Sequence, residues 1–367
     1  MNLPQSEQVN NKHLSRLFDN TSECYKFFWF QAILTKISEG KSSFSYEELI
    51  NEMICDAWYM VNEYHLNLGP NDNLENAVKY LSSKVDLKSS EKKSVLLETL
   101  SNVDDKELIR LKKILIQNVP YRLQAPFMPS FKGKDWSFGV YKRINHINEH
   151  DGLIYYFNSY DGLNTRINMS NDWLDYLSNN IEIIKGWLKY NMIIYLQKRN
   201  PSVPGIADKL YPPMERKLTK VIKYWKLITD IKPVHEIYGN NLIDHNDISI
   251  DHFVPWSYVA HDELWNLHPT TKSINSSKNN SLPDWEKYFP LLCNQEYLSY
   301  ELIWKNDLVH SEFNKCAREH LNNLEVYHKL YREKLSKEEF VFGLEETIWP
   351  VYSSAKNIGF RDWIYDK

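Results

Sequence analysis

Over the first 115 positions apolar residues recur at helical spacing. Leu49, Met53, Ala57, Met60, Val61 and Tyr64 share one face, and Ser45 with Glu48 stands ahead of them as a capping box, where a hydroxyl and a carboxylate satisfy free backbone N–H groups. Tyr25, Phe28, Trp29, Ala32, Ile33 and Ile37 make an earlier stripe. Amphipathic helices bury such faces, so both stripes are read as core. From 119 to 170 the pattern changes. Pro120, Pro126 and Pro129 interrupt the helical period, and Asp151-Gly152 and Asp161-Gly162 flank strand-like runs such as 153–157, which predicts a small β-hairpin insert. Helix resumes from about Asn171 to Gln197 on Trp173, Leu177, Ile181, Ile184 and Leu188, and Asn200-Pro201 with Val203-Pro204-Gly205 ends it. Beyond Pro212 and Pro213, the positions Met214, Leu218, Val221, Ile222 and Trp225 predict a further helix.

Ile248 and Ile250 alternate with polar residues, so a short strand leads into Asp251-His252 and ends before Pro255. After residue 300 the pattern is helical again with balanced charge. These elements predict a mainly α chain with a small β insert, in four segments: helical 1–118, the hairpin and basic helices of 119–232, a chemistry-bearing 233–300, and C-terminal helices over 301–367. At 367 residues the chain is long enough for two or three cores. No run approaches the roughly 18 apolar residues of a spanning helix, and no secretory signal is visible, so a cytoplasmic protein with no membrane partner is expected. Cys24, Cys55, Cys293 and Cys316 lie far apart without a Cys-x-x-Cys pair, which fits a reduced compartment. Gly40-Lys41-Ser42 resembles the end of a phosphate-binding loop, but Thr35 stands where its first glycine is required.

Net charge is −4, and as a total it says little. Residues 185–232 hold eleven Lys or Arg against three acids, whereas 233–300 hold three bases against nine acids. A basic block therefore abuts an acidic one, the pattern of a phosphate-backbone partner beside a site that attracts a divalent cation. Arg216, Lys217, Lys220 and Lys223 fall beside the apolar face of the helix after Pro213, which makes them candidate nucleic-acid contacts.

The informative stretch is 248–283, ISIDHFVPWSYVAHDELWNLHPTTKSINSSKNNSLP. Asn266 follows His252 in a loop-like LWNLHP, and Asn275 lies in SINSSKNN, a short helix closed by Pro283. In this Asp-His, Asn, Asn order the segment resembles the HNH endonuclease superfamily. It is similar above all to the HNH nuclease domains of RNA-guided CRISPR effectors, which share Asp-His-x-x-Pro, an Asn-containing loop and Asn-x-x-Lys near a proline. The resemblance covers about 240–285 and implies an α+β ββα-metal nuclease domain.

It also implies roles. His252 would be the general base, since imidazole accepts a proton near neutral pH. Asp251 and Asn275 would hold one Mg²⁺ or Mn²⁺, hard oxygen donors suiting such ions better than zinc. Asn266 would hold the histidine or its loop in place. Lys278 would contact a phosphate oxygen. Asn279 is a rival to Asn275 one turn on, disfavoured because the Asn275 to Lys278 spacing matches the family. His245, Asp244 and Asp247 could assist from the turn before the strand, and His261 and His268 occupy positions where the family has no fixed histidine. Adjacent strand residues point to opposite faces, so Asp251 and His252 can serve one phosphate only if the strand bends or ends there. The expected activity is metal-dependent hydrolysis of DNA in a prokaryotic antiviral defence or restriction system. The helical N-terminal part would bind a protein partner or a second copy. An RNA-cleaving enzyme and a non-catalytic nucleic-acid-binding or assembly subunit are the alternatives.

Overall fold

A computed structural model describes residues 3–212 and 218–366. The chain is mainly α-helical with a few short strands. It divides into two compact units, Met1–Pro201 with Ile206–Pro212, and Ser202–Gly205 with Pro213–Lys367. The boundaries expected at 118/119, 232/233 and 300/301 therefore lie inside units. Among the described residues no helix is long and apolar enough to cross a membrane.

The first unit packs α1 (Tyr25–Ser38) and α2 (Tyr46–Asn62) around Trp29, Phe44, Tyr46 and Ile50, all with no exposed surface. The capping box forms as the sequence predicts: Glu48 N–H donates to Ser45 Oγ and Ser45 N–H donates to the Glu48 carboxylate. Strand β1 (Ser43–Ser45) precedes α2, and α3 (Asn73–Lys84), α4 (Lys106–Leu115) and α5 (Val140–Asn148) follow. The hairpin is present as β2 (Tyr155–Phe157) and β3 (Arg166–Met169), antiparallel, and β1 adds a third strand beside β3. The single helix expected from Asn171 is two, α6 (Asn171–Asn179) and α7 (Ile181–Arg199). Asn180 leaves helical geometry at φ −118°, ψ 19°, and its amide donates to Tyr176 O, closing α6.

In the second unit α8 (Thr219–Ile231) buries Val221, Tyr224, Trp225 and Ile228. Pro213, Met214, Arg216 and Lys217 lie outside the described residues. Strands β4 (Ile248–His252) and β5 (Leu267–Thr271) pair antiparallel, and α9 (Lys272–Lys278) follows β5 without a loop, Thr271 accepting from Ile274 N–H at its start. Then come β6 (Leu282–Pro283), α10 (Trp285–Lys305), α11 (Asp307–His320) and α12 (Lys337–Asn357), and β7 (Asp362–Trp363) pairs parallel with β6. The β4–β5 hairpin and α9 sit on one continuous apolar core that includes Phe253, Tyr288, Leu292 and Tyr352. That core fixes the strand end carrying Asp251 and His252.

Candidate active site

Along β4, Asp251 stands opposite His268 and His252 opposite Leu267. Residues facing each other across a ladder share a sheet face, so Asp251 and His252 engage different neighbours. The strand ends at His252, and Asn266 is what ends it. The Asn266 backbone oxygen accepts from Phe253 N–H at 3.0 Å, its Oδ1 accepts from Val254 N–H at 2.8 Å, and its Nδ2 donates to Val254 O at 2.8 Å. With 1% of its surface exposed, Asn266 is a clamp on the chain immediately after the histidine.

Asp251 is gripped from several sides. Tyr238 Oη donates to Oδ2 at 2.7 Å, and Lys278 Nζ lies 3.2 Å from Oδ1 and 3.1 Å from Oδ2. Lys278 also donates to the His252 carbonyl at 2.7 Å, so one ammonium ties both motif residues to α9. Tyr238 is held in turn by Glu236, whose buried carboxylate accepts the backbone N–H groups of Tyr238, Gly239 and Asn241. A Cβ at position 239 would come within 2.9 Å of Glu236, Asn241 and Tyr365 side-chain atoms, which is why that turn needs glycine.

His268 is fully buried behind Asp251. Burial pushes its imidazole down to about 4, against the opposing pull of the Asp251 charge, so the ring is neutral near pH 7. Tyr238 spends its proton on Asp251, so His268 donates Nε2–H to Tyr238 Oη across 3.1 Å, and its buried Nδ1 has no partner among the described residues. Burial likewise lowers the Lys278 ammonium below its ordinary value, with Asp251 opposing. It pushes the Tyr238 hydroxyl well up, reinforced by the Asp251 charge.

On the other face, His252 Nε2 lies 2.8 Å from Asp262 Oδ1. A carboxylate on one ring nitrogen fixes the tautomer and leaves Nδ1 as the basic atom. Asn275 is anchored to β4 by its amide nitrogen, which donates to Ser249 Oγ at 2.9 Å and to Ile250 O at 3.1 Å, beside Asp251. Its Oδ1 is left without a donor among the described residues. Asn279 ends α9 with φ +46° and is exposed.

Lys278, expected to reach a phosphate, is wholly buried and spent on Asp251 and His252. Lys220 pairs with Glu319, and Lys223 with Glu312 at 3.2 Å, both acids belonging to α11. Of the remaining candidates, His245 pairs with Asp230 at 2.9 Å in an exposed position, Asp244 caps its own turn, and the His261 ring packs edge-on to Trp265. Tyr238 and Asp262 were not singled out by the sequence reading. The place of Asp262 beside His261 in VAHDE, ten residues after His252, was the available signal for the acid; the Tyr238-Gly239 pair was the signal for the other.

The donors suit a hard divalent ion: one carboxylate and, on the neighbouring helix, an amide oxygen that accepts nothing. Both Asp251 oxygens are already engaged, Oδ2 by the Tyr238 hydroxyl and both by the Lys278 ammonium. Among the described residues no three His, Cys, Asp or Glu side chains converge as a metal cage.

Residues 235–284 match the HNH endonuclease family. The match spans β4, β5, α9 and the Glu236–Tyr238 turn, so the likeness to HNH endonucleases is confined to this segment of a longer chain. Neither the curated proteins nor the solved structures give a match to the chain.

Proposed function

We propose that the protein hydrolyses DNA phosphodiester bonds with a divalent cation, through His252 as general base. The observation that carries this reading is the Asp262–His252 pair at the end of β4, within the segment that matches the HNH endonuclease family. His252 Nδ1 would take a proton from the attacking water while Asp262 holds Nε2–H and stabilises the imidazolium that forms. The water oxygen bonds to phosphorus, the bond to the leaving sugar oxygen breaks, and the leaving oxygen takes a proton from solvent. Asn266 would fix where His252 stands. Tyr238 and Lys278 would fix the Asp251 carboxylate. Asp251 and Asn275 would hold Mg²⁺ or Mn²⁺, which when bound stabilises charge on the phosphate and on the leaving oxygen. The acidic balance of 233–300 supports cation attraction. A cytoplasmic setting accords with four free, buried cysteines, and a role in prokaryotic defence rests on the motif's resemblance to RNA-guided effectors.

The test is a substrate panel: supercoiled plasmid, linear duplex, single-stranded DNA and RNA, each with Mg²⁺, Mn²⁺ or chelator. Metal-dependent nicking of plasmid is expected. RNA cut in preference to DNA would replace the substrate, and no cutting in any lane would leave a binding module.

A further inference from the structure

The charge asymmetry noted near the nuclease segment has a counterpart in the first unit. Residues 106–143 carry nine Lys or Arg and two acids. Two of these bases are ion-paired, Arg110 with Glu107 and Lys112 with Glu47. The other seven form no ion pair among the described residues.

Two of the seven, Lys113 and Arg143, border one cleft of about 540 Å³, lined also by Gln117, Asn118, Tyr121 and Tyr160, with no carboxylate on its wall. Asn118 also borders a cleft of about 620 Å³ that presents Lys26 and Arg122, together with Asp19 and Glu23. Each guanidinium lies over an aromatic ring, Arg143 4.9 Å from the Tyr121 ring centre and Arg122 4.6 Å from that of Trp136. Arg143 donates to the Gln117 and Phe138 carbonyls, yet its Nε has no acceptor, and the Arg122 guanidinium donates to nothing among the described residues.

These cations feel one another. Burial and then the Arg143 charge lower Arg122, and burial and then the Arg122 charge lower Lys26. The Arg122 and Arg143 guanidiniums, set over aromatic rings and in no ion pair among the described residues, suit a ligand carrying a row of anions. The rim adds a second feature. Tyr160 meets Tyr141 edge-on at 5.6 Å, and Tyr141 is 66% exposed. A buried core has no use for that ring, whereas an unpaired base has a face to lay on it. A duplex hides its base faces; a single strand offers bases and phosphates together.

We propose that this face of the first unit binds single-stranded nucleic acid, its phosphates against Lys113, Arg122 and Arg143 and a base against Tyr141 and Tyr160. The binding follows from the first unit alone and does not depend on the nuclease reading; that the strand is also the substrate would rest on it.

The experiment measures fluorescence anisotropy of a labelled oligo-dT with the full-length protein, in chelator so that nothing is cut, across a salt series. Lys113→Glu/Arg122→Glu changes two side chains that make no hydrogen bond or ion pair, and an unchanged Tm checks the fold. The expected result is at least ~10-fold weaker binding, with the slope of log affinity against log salt shallower by about 1.4, or ~0.7 per phosphate contact. Tyr141→Ala should weaken binding by about 5-fold or more with the slope unchanged, as the loss of one stacked base does. Unchanged affinity and slope in Lys113→Glu/Arg122→Glu would overturn the proposal. So would a duplex of equal length that binds as tightly, or a Tyr141→Ala protein indistinguishable from wild type.

Discussion

His252 Nε2 and Asp262 Oδ1 stand 2.8 Å apart, ten residues distant in the chain and brought together by the turn that follows Pro255. The pair fixes which imidazole nitrogen faces the chemistry. Asp262→Asn keeps the shape but removes the charge that supports an imidazolium. Its kcat for plasmid nicking is expected to fall by ~10- to 100-fold with KM nearly constant, a loss within the range of general-base catalysis. Steady-state kinetics of the two proteins check this; an equal kcat would separate Asp262 from the base.

Asp251 and Lys278 form a buried ion pair, and buried pairs fail asymmetrically. Asp251→Asn leaves an ammonium with 0% exposure facing a neutral amide, so unfolding in urea should show a loss of ~3–5 kcal/mol. Asp251→Asn/Lys278→Met should recover much of that stability while remaining inactive. If the double variant is as unstable as the single, the pair is not what holds this strand end.

Asn275 is pinned by its nitrogen and offers its oxygen. Asn275→Ala should weaken Mn²⁺ binding, measured by calorimetry on the uncut protein, by ~10-fold or more. Asn279→Ala should leave it unchanged, which decides between the two asparagines by affinity and independently of turnover.

Much of this was legible in the sequence, for reasons that can be named. The α2 cap and apolar stripe are local and periodic, so Ser45, Glu48 and Leu49 announce them. The Asp-His, Asn, Asn order survives as a pattern because the chemistry fixes residue type and the hairpin fixes spacing. Strand β1 was not legible: Ser43–Ser45 has no strand signal of its own and becomes one by pairing with Arg166–Met169, more than a hundred residues on. Lys278 was misplaced for a related reason. Polarity predicts a solvated lysine, and only tertiary packing supplies the buried carboxylate that draws it in. Tyr238 stayed unnoticed because a tyrosine thirteen residues ahead of the motif carries no local hint that its hydroxyl reaches Asp251.

Glu296 contributes a pH dependence to the second unit. It is buried, its Oε1 has no partner among the described residues, and burial raises its carboxyl well above the ordinary value of 4.5. The folded state therefore keeps a proton that the unfolded state releases above about 4.5. Stability from this group is full below that pH and falls as pH rises toward the folded value. Glu296→Gln should melt near the wild-type temperature at pH 4 and increasingly above it from pH 5 to 8. Parallel melting curves across that range would refute the assignment.

The central claim is that His252 takes the proton in metal-dependent phosphodiester cleavage, and the most direct measurement is the single-turnover nicking rate of supercoiled plasmid by wild type and His252→Ala in saturating Mn²⁺. The predicted result is a rate lower by ~10²- to 10⁴-fold in His252→Ala, with cutting by both abolished in chelator. Equal rates in the two proteins, or wild-type cutting that persists in chelator, would contradict it.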